Sequence, residues 1–230
     1  MKPHEVEERS AAVRQVHSVI ERLIRDGTTI AGADGSVHDL FPTAIDAREG
    51  EALRKWVSQE AAQRTIEIGL GYGISALFIC EGLLTNGNSD IKHVVIDPYQ
   101  KPRFAHCGLE ALEEAGVGQF IEYHEEESQI VLPRFRGEGR SFDLAFVDGD
   151  HRFDGVFLDL VYLGHLVRKG GVIILDDYQL PAVERAASFF QSNLGWTLEE
   201  LSGPDRHHQW AVLRTSTIPD ARPFGFFVDF

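Results

Sequence analysis

Residues 65–73, TIEIGLGYG, join a short apolar strand to three glycines set two apart. Isoleucines at 66 and 68 bracket Glu67, which is typical of a strand that ends where the glycines begin. Without a Cβ, glycine lets the backbone take unusual φ and ψ angles and lets a ligand approach the main chain. The spacing is G-x-G-x-G, and Ile74 stands where the dinucleotide fingerprint has its third glycine. The turn therefore predicts a small-molecule site and argues against NAD, with a turn that is tight only for packing as the alternative.

Strand and helix patterns alternate regularly after this turn. The apolar runs HVVI, LAFV and VIIL are continuous, as expected for strands covered on both faces. After a predicted helix at 181–195, WTLEEL and QWAVLRT flank SGPDRHH, which indicates an antiparallel hairpin. The pattern predicts an α/β fold, a Rossmann-like three-layer sandwich around a mostly parallel sheet with the hairpin at its edge.

Residues 1–48 are predicted to form an N-terminal segment that precedes a main domain at 49–230. Apolar residues recur at helical spacing over 5–26, and Gly27 ends that helix. Residues 29–46 are rich in glycine, aspartate and threonine and predict a loop. The segment is either a lid over the bound acceptor or a structural helix packed on the sheet.

The composition of the chain restricts its expected binding partners and cellular location. The chain has 230 residues and a formal net charge of -14, which would repel a phosphate backbone and disfavours nucleic acid and anionic membrane. Cys80 and Cys107 lack metal spacing and are expected to be reduced thiols. No run of about 18 uncharged apolar residues occurs, and the acidic start is unlike a signal peptide, so we expect a cytoplasmic protein. The aromatic C terminus, RPFGFFVDF, either packs on its own domain or forms a homodimer interface.

Asp97 ends the next strand, in VVIDP. At this place in an open α/β sheet a carboxylate can accept hydrogen bonds from both hydroxyls of a ribose. A helix cap or an Asp-Pro turn is the alternative. With the glycine turn, Asp97 predicts an adenosine-containing ligand.

The motifs EIGLGYG, VVIDP, FDLAFVDGDH and KGGVIILDDY together resemble those of class I S-adenosylmethionine-dependent methyltransferases, over residues 50–215. The resemblance implies a seven-stranded sheet with an antiparallel last strand, and S-adenosylmethionine as cofactor. It also implies that the residues lining that cofactor are Glu67, Gly69, Gly71, Gly73, Asp97, Ser128 and Asp148.

Four aspartates follow two neighbouring predicted strands: Asp148 and Asp150 in FVDGDH, and Asp176 and Asp177 in IILDDY. Adjacent strands lie about 4.8 Å apart, so these carboxylates would crowd one another and raise their own pKa values. Mg²⁺ or another hard divalent cation would relieve that crowding. Alternatively, each aspartate caps the helix that follows it.

The aspartate pattern resembles that of metal-dependent O-methyltransferases, especially those that methylate sugar hydroxyls in antibiotic pathways. The resemblance implies that Asp148, Asp176 and Asp177 bind the metal and that Asp150 is the general base, with His151 as the alternative base. Catechol-type relatives have asparagine in place of Asp177 and a lysine a few residues after the first aspartate. Both departures argue against a small catechol enzyme.

The predicted activity is therefore O-methylation of a small-molecule hydroxyl, on a sugar or on a vicinal diol or catechol-like acceptor. A metal-independent methyltransferase and a non-catalytic S-adenosylmethionine-binding module are the alternatives. His207 and His208 fall in the predicted hairpin turn and are expected to lie outside the chemistry.

Overall fold

The computed structural model describes residues 3–203 and 208–230. The chain divides into two compact units, Met1–Glu126 and Glu127–Phe230. Within the described residues, no helix is both long and apolar enough to cross a membrane. The cytoplasmic location stays a prediction.

The first unit begins with helix α1 and a small antiparallel sheet, followed by α2 and alternating strands and helices. Its strands β3, β4 and β5 are parallel, with β4 in the middle, and Ile96 pairs with Ile68 on one side and His124 on the other. The elements are α1 (Pro3–Asp26), β1 (Thr28–Ile30), β2 (Val37–Asp39), α2 (Ala47–Gln59), β3 (Arg64–Ile68), α3 (Ile74–Thr85), β4 (Lys92–Ile96), α4 (Cys107–Glu114), a 3-10 turn (Gly118–Phe120) and β5 (Ile121–His124).

The second unit continues the alternation and ends in a hairpin. Strand β6 pairs with β7 in parallel, β9 pairs antiparallel with β7, and β8 pairs antiparallel with β9. The elements are α5 (Ser128–Gly137), β6 (Phe142–Val147), α6 (Phe153–Leu166), β7 (Val167–Leu175), α7 (Pro181–Leu194), β8 (Thr197–Leu201) and β9 (Ala211–Arg214).

Strands β3 to β9 form a seven-stranded, mostly parallel sheet with an antiparallel hairpin at its edge. The predicted α/β, Rossmann-like fold is confirmed. The continuous apolar runs in the sequence correspond to buried strands: Val94, Val95 and Leu144 are all fully buried. Strands without an exposed face lose the apolar-polar alternation, which is why these runs are continuous.

Helix α3 is the centre of packing in the first unit. Its residues Ile74–Leu84 are all buried, and both α1 and α2 lie against it. Gly82 allows the close approach of α2, because a Cβ there would lie 2.9 Å from a methyl group of Val57. Helix α1 is thus packed on the helix that follows the glycine turn. The division at residue 48 and the lid role of residues 1–48 stay predictions.

One local prediction was wrong. Residues 28–39 form the β1–β2 hairpin and not an open loop, because Gly35 takes φ 72° and closes a turn between Ala31 and Ser36. Strands of three residues are too short to show a period. Helix α6 ends at Leu166, because Val167 already pairs with Phe142 in the sheet.

Candidate active site

The glycine turn between β3 and α3 requires glycine for two separate reasons. Gly69, Gly71 and Gly73 have φ values of 91°, 53° and 85°, in the left-handed region that side chains disfavour. Gly73 also touches the start of α4, since a Cβ there would lie 2.9 Å from the carbonyl oxygen of Gly108. A Cβ on Gly71 would meet no described atom within 4 Å. Packing therefore accounts for Gly73, whereas the space beside Gly71 is open.

Asp97 fastens this turn. Its Oδ2 atom accepts hydrogen bonds from the backbone N–H groups of Leu70 (3.1 Å) and Gly71 (3.0 Å), and its Oδ1 accepts one from the Tyr99 N–H (2.7 Å). Only 2% of Asp97 is exposed. A carboxylate offers about four acceptor positions, so the Oδ1 side keeps acceptor capacity after these bonds. Its predicted ribose contact stays a prediction.

Gln100, which the sequence did not single out, also binds the turn. Its side chain is fully buried, and its Nε2 donates to the Gly71 carbonyl oxygen (2.7 Å) and to Asp97 Oδ2 (2.8 Å). Its Oε1 is buried and has no hydrogen-bond partner among residues 3–203 and 208–230. Gln100 therefore holds both sides of the turn.

Glu67 is tied into a buried network. One carboxylate oxygen accepts a hydrogen bond from the Ser75 hydroxyl, and the other lies 2.9 Å from Nε2 of His93. Nδ1 of His93 lies 2.9 Å from the Thr65 hydroxyl. All of Glu67, Thr65 and His93 are fully buried. This geometry supports a role in holding β3, β4 and α3 together; the predicted role of Glu67 in lining the cofactor stays a prediction.

The aspartates of the second unit gather at the ends of β6 and β7. These parallel strands pair as far as Val147 and Leu175, so Asp148 and Asp176 follow the last pair directly. Asp177 has φ 51°, and its N–H donates to Oδ1 of Asp176 at 2.6 Å. This tight turn holds the carboxylates of Asp176 and Asp177 close together at the end of β7.

His151 lies between two of these carboxylates. Its Nε2 is 3.4 Å from Oδ1 of Asp148, and its Nδ1 is 3.0 Å from Oδ2 of Asp177. Asp148 and Asp177 together raise the pKa of His151 to about 10, against the opposing effect of burial. His151, with help from His208 and Gln179, holds the pKa of Asp177 well below its usual range. At neutral pH the pair is an imidazolium and a carboxylate.

Asp176, which lies beside Asp148 and Asp177, is an aspartate whose pKa is raised. Only 5% of it is exposed, and burial, followed by the charges of Asp148 and Asp177, raises its pKa to about 7. Carboxylates are oxygen donors of the kind that hard divalent cations prefer. A carboxylate oxygen of Asp176 and a ring nitrogen of His208 belong to a group of donor atoms within 4.8 Å of one another, and Asp148 and Asp177 lie outside that group. A cation beside Asp176 would remove the repulsion that raises its pKa, so Asp176 and His208 fit such an ion.

Asp150 lies in a different environment. Its carboxylate binds the guanidinium of Arg152 through Nε and Nη2, at 2.9 and 2.7 Å, and Arg152 lowers its pKa. A carboxylate with a lowered pKa is a weaker base. Of the two residues predicted as the base, His151 is the one in contact with the aspartate group.

Ser128 begins α5, and its side chain bonds to Asp159 of α6. Asp159 is 2% exposed, and burial raises its pKa to about 7. The contact joins the two helices. The predicted contact of Ser128 with the cofactor stays a prediction.

Comparisons with known proteins agree with this architecture. Residues 66–178 match the family model described as a methyltransferase domain. A catechol O-methyltransferase from Mycobacterium tuberculosis is 28% identical over 157 residues, which is 67% of each chain. These matches support a class I S-adenosylmethionine-dependent O-methyltransferase. Tricin synthase 2 from Oryza sativa subsp. japonica is 30% identical over 133 residues, 56% of this chain, and the match spans less than half of the rice protein, 42%.

Solved structures share the fold of this chain at low sequence identity. An O-methyltransferase from Bacillus cereus in complex with SAH has a TM-score of 0.68 at 18% identity, covering 86% of this chain and 91% of that one. An SAH-bound methyltransferase from Podospora anserina has a TM-score of 0.63 at 17% identity, covering 94% and 97%.

The sequence analysis also missed a residue beside the aspartates at the ends of β6 and β7. Nδ1 of His208 lies 3.7 Å from Oδ1 of Asp176 and 3.9 Å from Oδ1 of Asp177. The expectation that His208 lies away from the site overlooked the antiparallel pairing of β9 with β7, which brings the residues before β9 alongside those after β7. His207 lies outside the described residues.

Proposed function

We propose that this chain transfers the methyl group of S-adenosylmethionine to a hydroxyl oxygen of a small molecule, with a divalent cation held by Asp148, Asp176 and Asp177. The observation that supports the proposal is that Asp148 and Asp176 directly follow the paired ends of β6 and β7, where the charges of Asp148 and Asp177 raise the pKa of Asp176. Mg²⁺ is the first cation to test, because it prefers oxygen ligands. When bound, such a cation lowers the pKa of an acceptor hydroxyl as a Lewis acid.

The glycine turn supports a cofactor role for the first unit. Open space beside Gly71 leaves the main chain accessible, and Asp97 and Gln100 hold its backbone in place. We propose that S-adenosylmethionine binds at this turn. Such a turn after the first strand of an open α/β sheet is a common place for an adenosine-containing ligand.

The proposed reaction transfers the methyl group from the sulfonium sulfur to the acceptor oxygen. The oxygen loses its proton, and S-adenosylhomocysteine is the second product. His151 is the better candidate to take that proton, because Arg152 occupies Asp150. His151 can accept a proton near neutral pH only when the charges of Asp148 and Asp177 are compensated, since those charges otherwise raise its pKa to about 10. Positioning of oxygen and methyl supplies much of the acceleration in such displacements.

The proposed acceptor is a sugar or another vicinal diol. Aspartate at position 177, where catechol-type relatives have asparagine, disfavours a small catechol. The net charge of -14 makes nucleic acid and anionic membrane unsuitable partners. We also propose that the chain forms a homodimer and acts in the cytoplasm.

A metal-independent methyltransferase is the second candidate. The contact of 3.0 Å between Nδ1 of His151 and Asp177 favours it. A carboxylate in this position orients the imidazole, which can then act as a general base without a cation.

One calorimetric series separates these functions. S-adenosylhomocysteine is titrated into the full chain with Mg²⁺ and with excess chelator, and Mg²⁺ is then titrated into the cofactor complex. We expect saturable binding of S-adenosylhomocysteine both with Mg²⁺ and with chelator, and a single Mg²⁺ site in the cofactor complex. In a separate activity assay, we expect the chain to methylate vicinal diols and chelator to abolish that activity. Turnover that survives chelation would favour the metal-independent enzyme. Cofactor binding without turnover on any acceptor would favour a non-catalytic module, and no cofactor binding would refute the proposal.

A further inference from the structure

The imidazole of His208 lies beside the carboxylates of Asp176 and Asp177. We propose that its imidazole is a nitrogen ligand of the cation, so that the site binds a first-row transition-metal ion, such as Mn²⁺ or Co²⁺, in preference to Mg²⁺. This inference rests on the proposed cation site at Asp148, Asp176 and Asp177.

The distances distinguish the two histidines. Nδ1 of His151 lies 3.0 Å from Asp177, which is hydrogen-bond length, so His151 orients that carboxylate. Nδ1 of His208 lies 3.7 and 3.9 Å from Oδ1 of Asp176 and Asp177, too far for a hydrogen bond. Donors lie about 2.0–2.2 Å from such an ion, so two donors on one ion are separated by up to about 4.4 Å. The separations of His208 fit shared ligation.

The backbone around His208 is held at this edge of the sheet. Pairing of Leu175 with Ala211 aligns the start of β9 with the end of β7. Two further bonds extend this pairing: Tyr178 N–H donates to the Gln209 carbonyl oxygen at 2.7 Å, and Gln209 N–H donates to Oε1 of Gln179 at 2.7 Å.

The same contacts fix the partner carboxylate. Nε2 of Gln179 donates to Oδ1 of Asp177 at 2.6 Å, so Gln179 links that ligand to the residue that follows His208. The backbone of Gln209, the residue that follows His208, is therefore fixed to the segment that carries Asp177. This attachment keeps His208 next to the carboxylates and favours a ligand role.

The donor type predicts the metal. Imidazole nitrogen suits ions such as Fe²⁺, Ni²⁺ and Zn²⁺, whereas an all-oxygen set suits Mg²⁺, Ca²⁺ and Mn²⁺. Affinity for a site with nitrogen and oxygen donors rises from Mn²⁺ to Co²⁺, so Co²⁺ should gain more from the imidazole than Mn²⁺. Adding one imidazole to three carboxylates therefore shifts the preference away from Mg²⁺, and removing it should shift the preference back.

Pulsed electron paramagnetic resonance of the Mn²⁺-loaded full chain tests this directly, because a coordinated imidazole modulates the echo through its ¹⁴N nucleus. The variants are His208→Gln, His151→Gln and, as a matched control, His165→Gln on the exposed side of α6. We expect ¹⁴N modulation in wild type and in His165→Gln and its loss in His208→Gln. Calorimetry should show that wild type binds Mn²⁺ and Co²⁺ at least about tenfold more tightly than Mg²⁺, and that His208→Gln loses most of this preference.

The alternative outcomes separate the inference from the proposed function. Modulation that survives in His208→Gln but disappears in His151→Gln would assign the ligand to His151 and overturn the inference. Single-site Mn²⁺ binding without ¹⁴N modulation in wild type would also overturn it, yet leave the three-aspartate site intact. Failure of every divalent ion to bind would refute the cation site itself. Wild-type modulation and selectivity decide these points even if His208→Gln does not fold.

Discussion

Nδ1 of His151 lies 3.0 Å from Oδ2 of Asp177, while its Nε2 lies 3.4 Å from Asp148. Two carboxylates thus stabilise one imidazolium and raise its pKa to about 10. We expect Asp177→Asn to lower the pKa of His151 by about one unit or more, because one of the two charges is lost. Titration of the imidazole signals by NMR in metal-free protein measures this. Asp143→Asn, which affects an ion pair with Arg168, is the control.

Asp176→Asn should make the metal-free protein more stable while it abolishes cation binding. The folded-state pKa of Asp176 is raised to about 7, so stability falls as pH rises from about 4 to 7 and the carboxylate ionises in the fold. Asparagine avoids that cost and can still accept the Asp177 N–H bond. At pH 8 in chelator we expect a gain of the order of 2 kcal/mol in the free energy of unfolding. Urea unfolding measures the change in stability, and Mn²⁺ titration measures the loss of cation binding. Equal stability of the two proteins would contradict the predicted repulsion among the carboxylates.

Gly73→Ala and Gly71→Ala should separate packing from ligand access. Both positions have positive φ, so each substitution should cost about 1–2 kcal/mol of stability through backbone strain. Gly73→Ala should cost more, because its Cβ would press on the backbone of Gly108. Gly71→Ala should be the milder change for stability, yet it should weaken S-adenosylhomocysteine binding by filling the open space. Thermal unfolding beside calorimetry would show this crossed pattern; strong cofactor binding by Gly71→Ala would place the cofactor elsewhere.

Glu67→Gln should destabilise the fold, because it disrupts a fully buried hydrogen-bond network with Ser75 and His93. A buried polar group that loses its partner typically costs about 1–3 kcal/mol, and more if the group is charged. The exposed ion pair of Arg64 with Asp90 lies on the same two-strand region and is the matched control. Asp90→Asn should cost less than about 1 kcal/mol. Similar losses in both variants, measured by urea unfolding, would show that the buried network contributes little.

Asp159→Asn should change how stability depends on pH. Burial raises the pKa of Asp159 to about 7, so the folded protein retains a proton that the unfolded chain has released above pH 4. Stability is therefore lost as pH rises from about 4 to 7, by about 1.4 kcal/mol for each unit in which only the folded state is protonated. The variant should lack this part of the slope. Unfolding at pH 5.5 and at pH 8 measures it, and parallel profiles for the two proteins would exclude the predicted titration.

The fold was largely predictable because its signals are local and repeated. Continuous apolar runs that alternate with helical patterns, together with the glycine turn, indicated a parallel sheet, and the hairpin at its edge was visible in WTLEEL and QWAVLRT. The three-residue strands β1 and β2 were missed because they carry no period. The boundary between α6 and β7 is not readable from the sequence, because Val167 continues an apolar pattern that suits either a helix or a strand.

The candidate site was predictable only where strand ends reveal it. Asp148, Asp176 and Asp177 could be grouped from the sequence alone, because the carboxyl ends of neighbouring parallel strands share one edge. His208 could not, since its position depends on which strand β9 pairs with and in what register. Gln100 was missed for a related reason, because a tertiary turn brings its amide to the backbone of Gly71.

The sequence by itself determined the alternation of strands and helices after the glycine turn and the residue types at the ends of those strands. These follow from apolar periodicity and from the conformations that only glycine adopts readily, whereas the family was indicated by the resemblance of motifs. Only the tertiary structure decided which charges meet: that Arg152 occupies Asp150, that His151 joins Asp148 to Asp177, and that His208 approaches Asp176. Such contacts depend on side-chain directions and on pairing between segments distant in the chain, which the local pattern of residues does not encode.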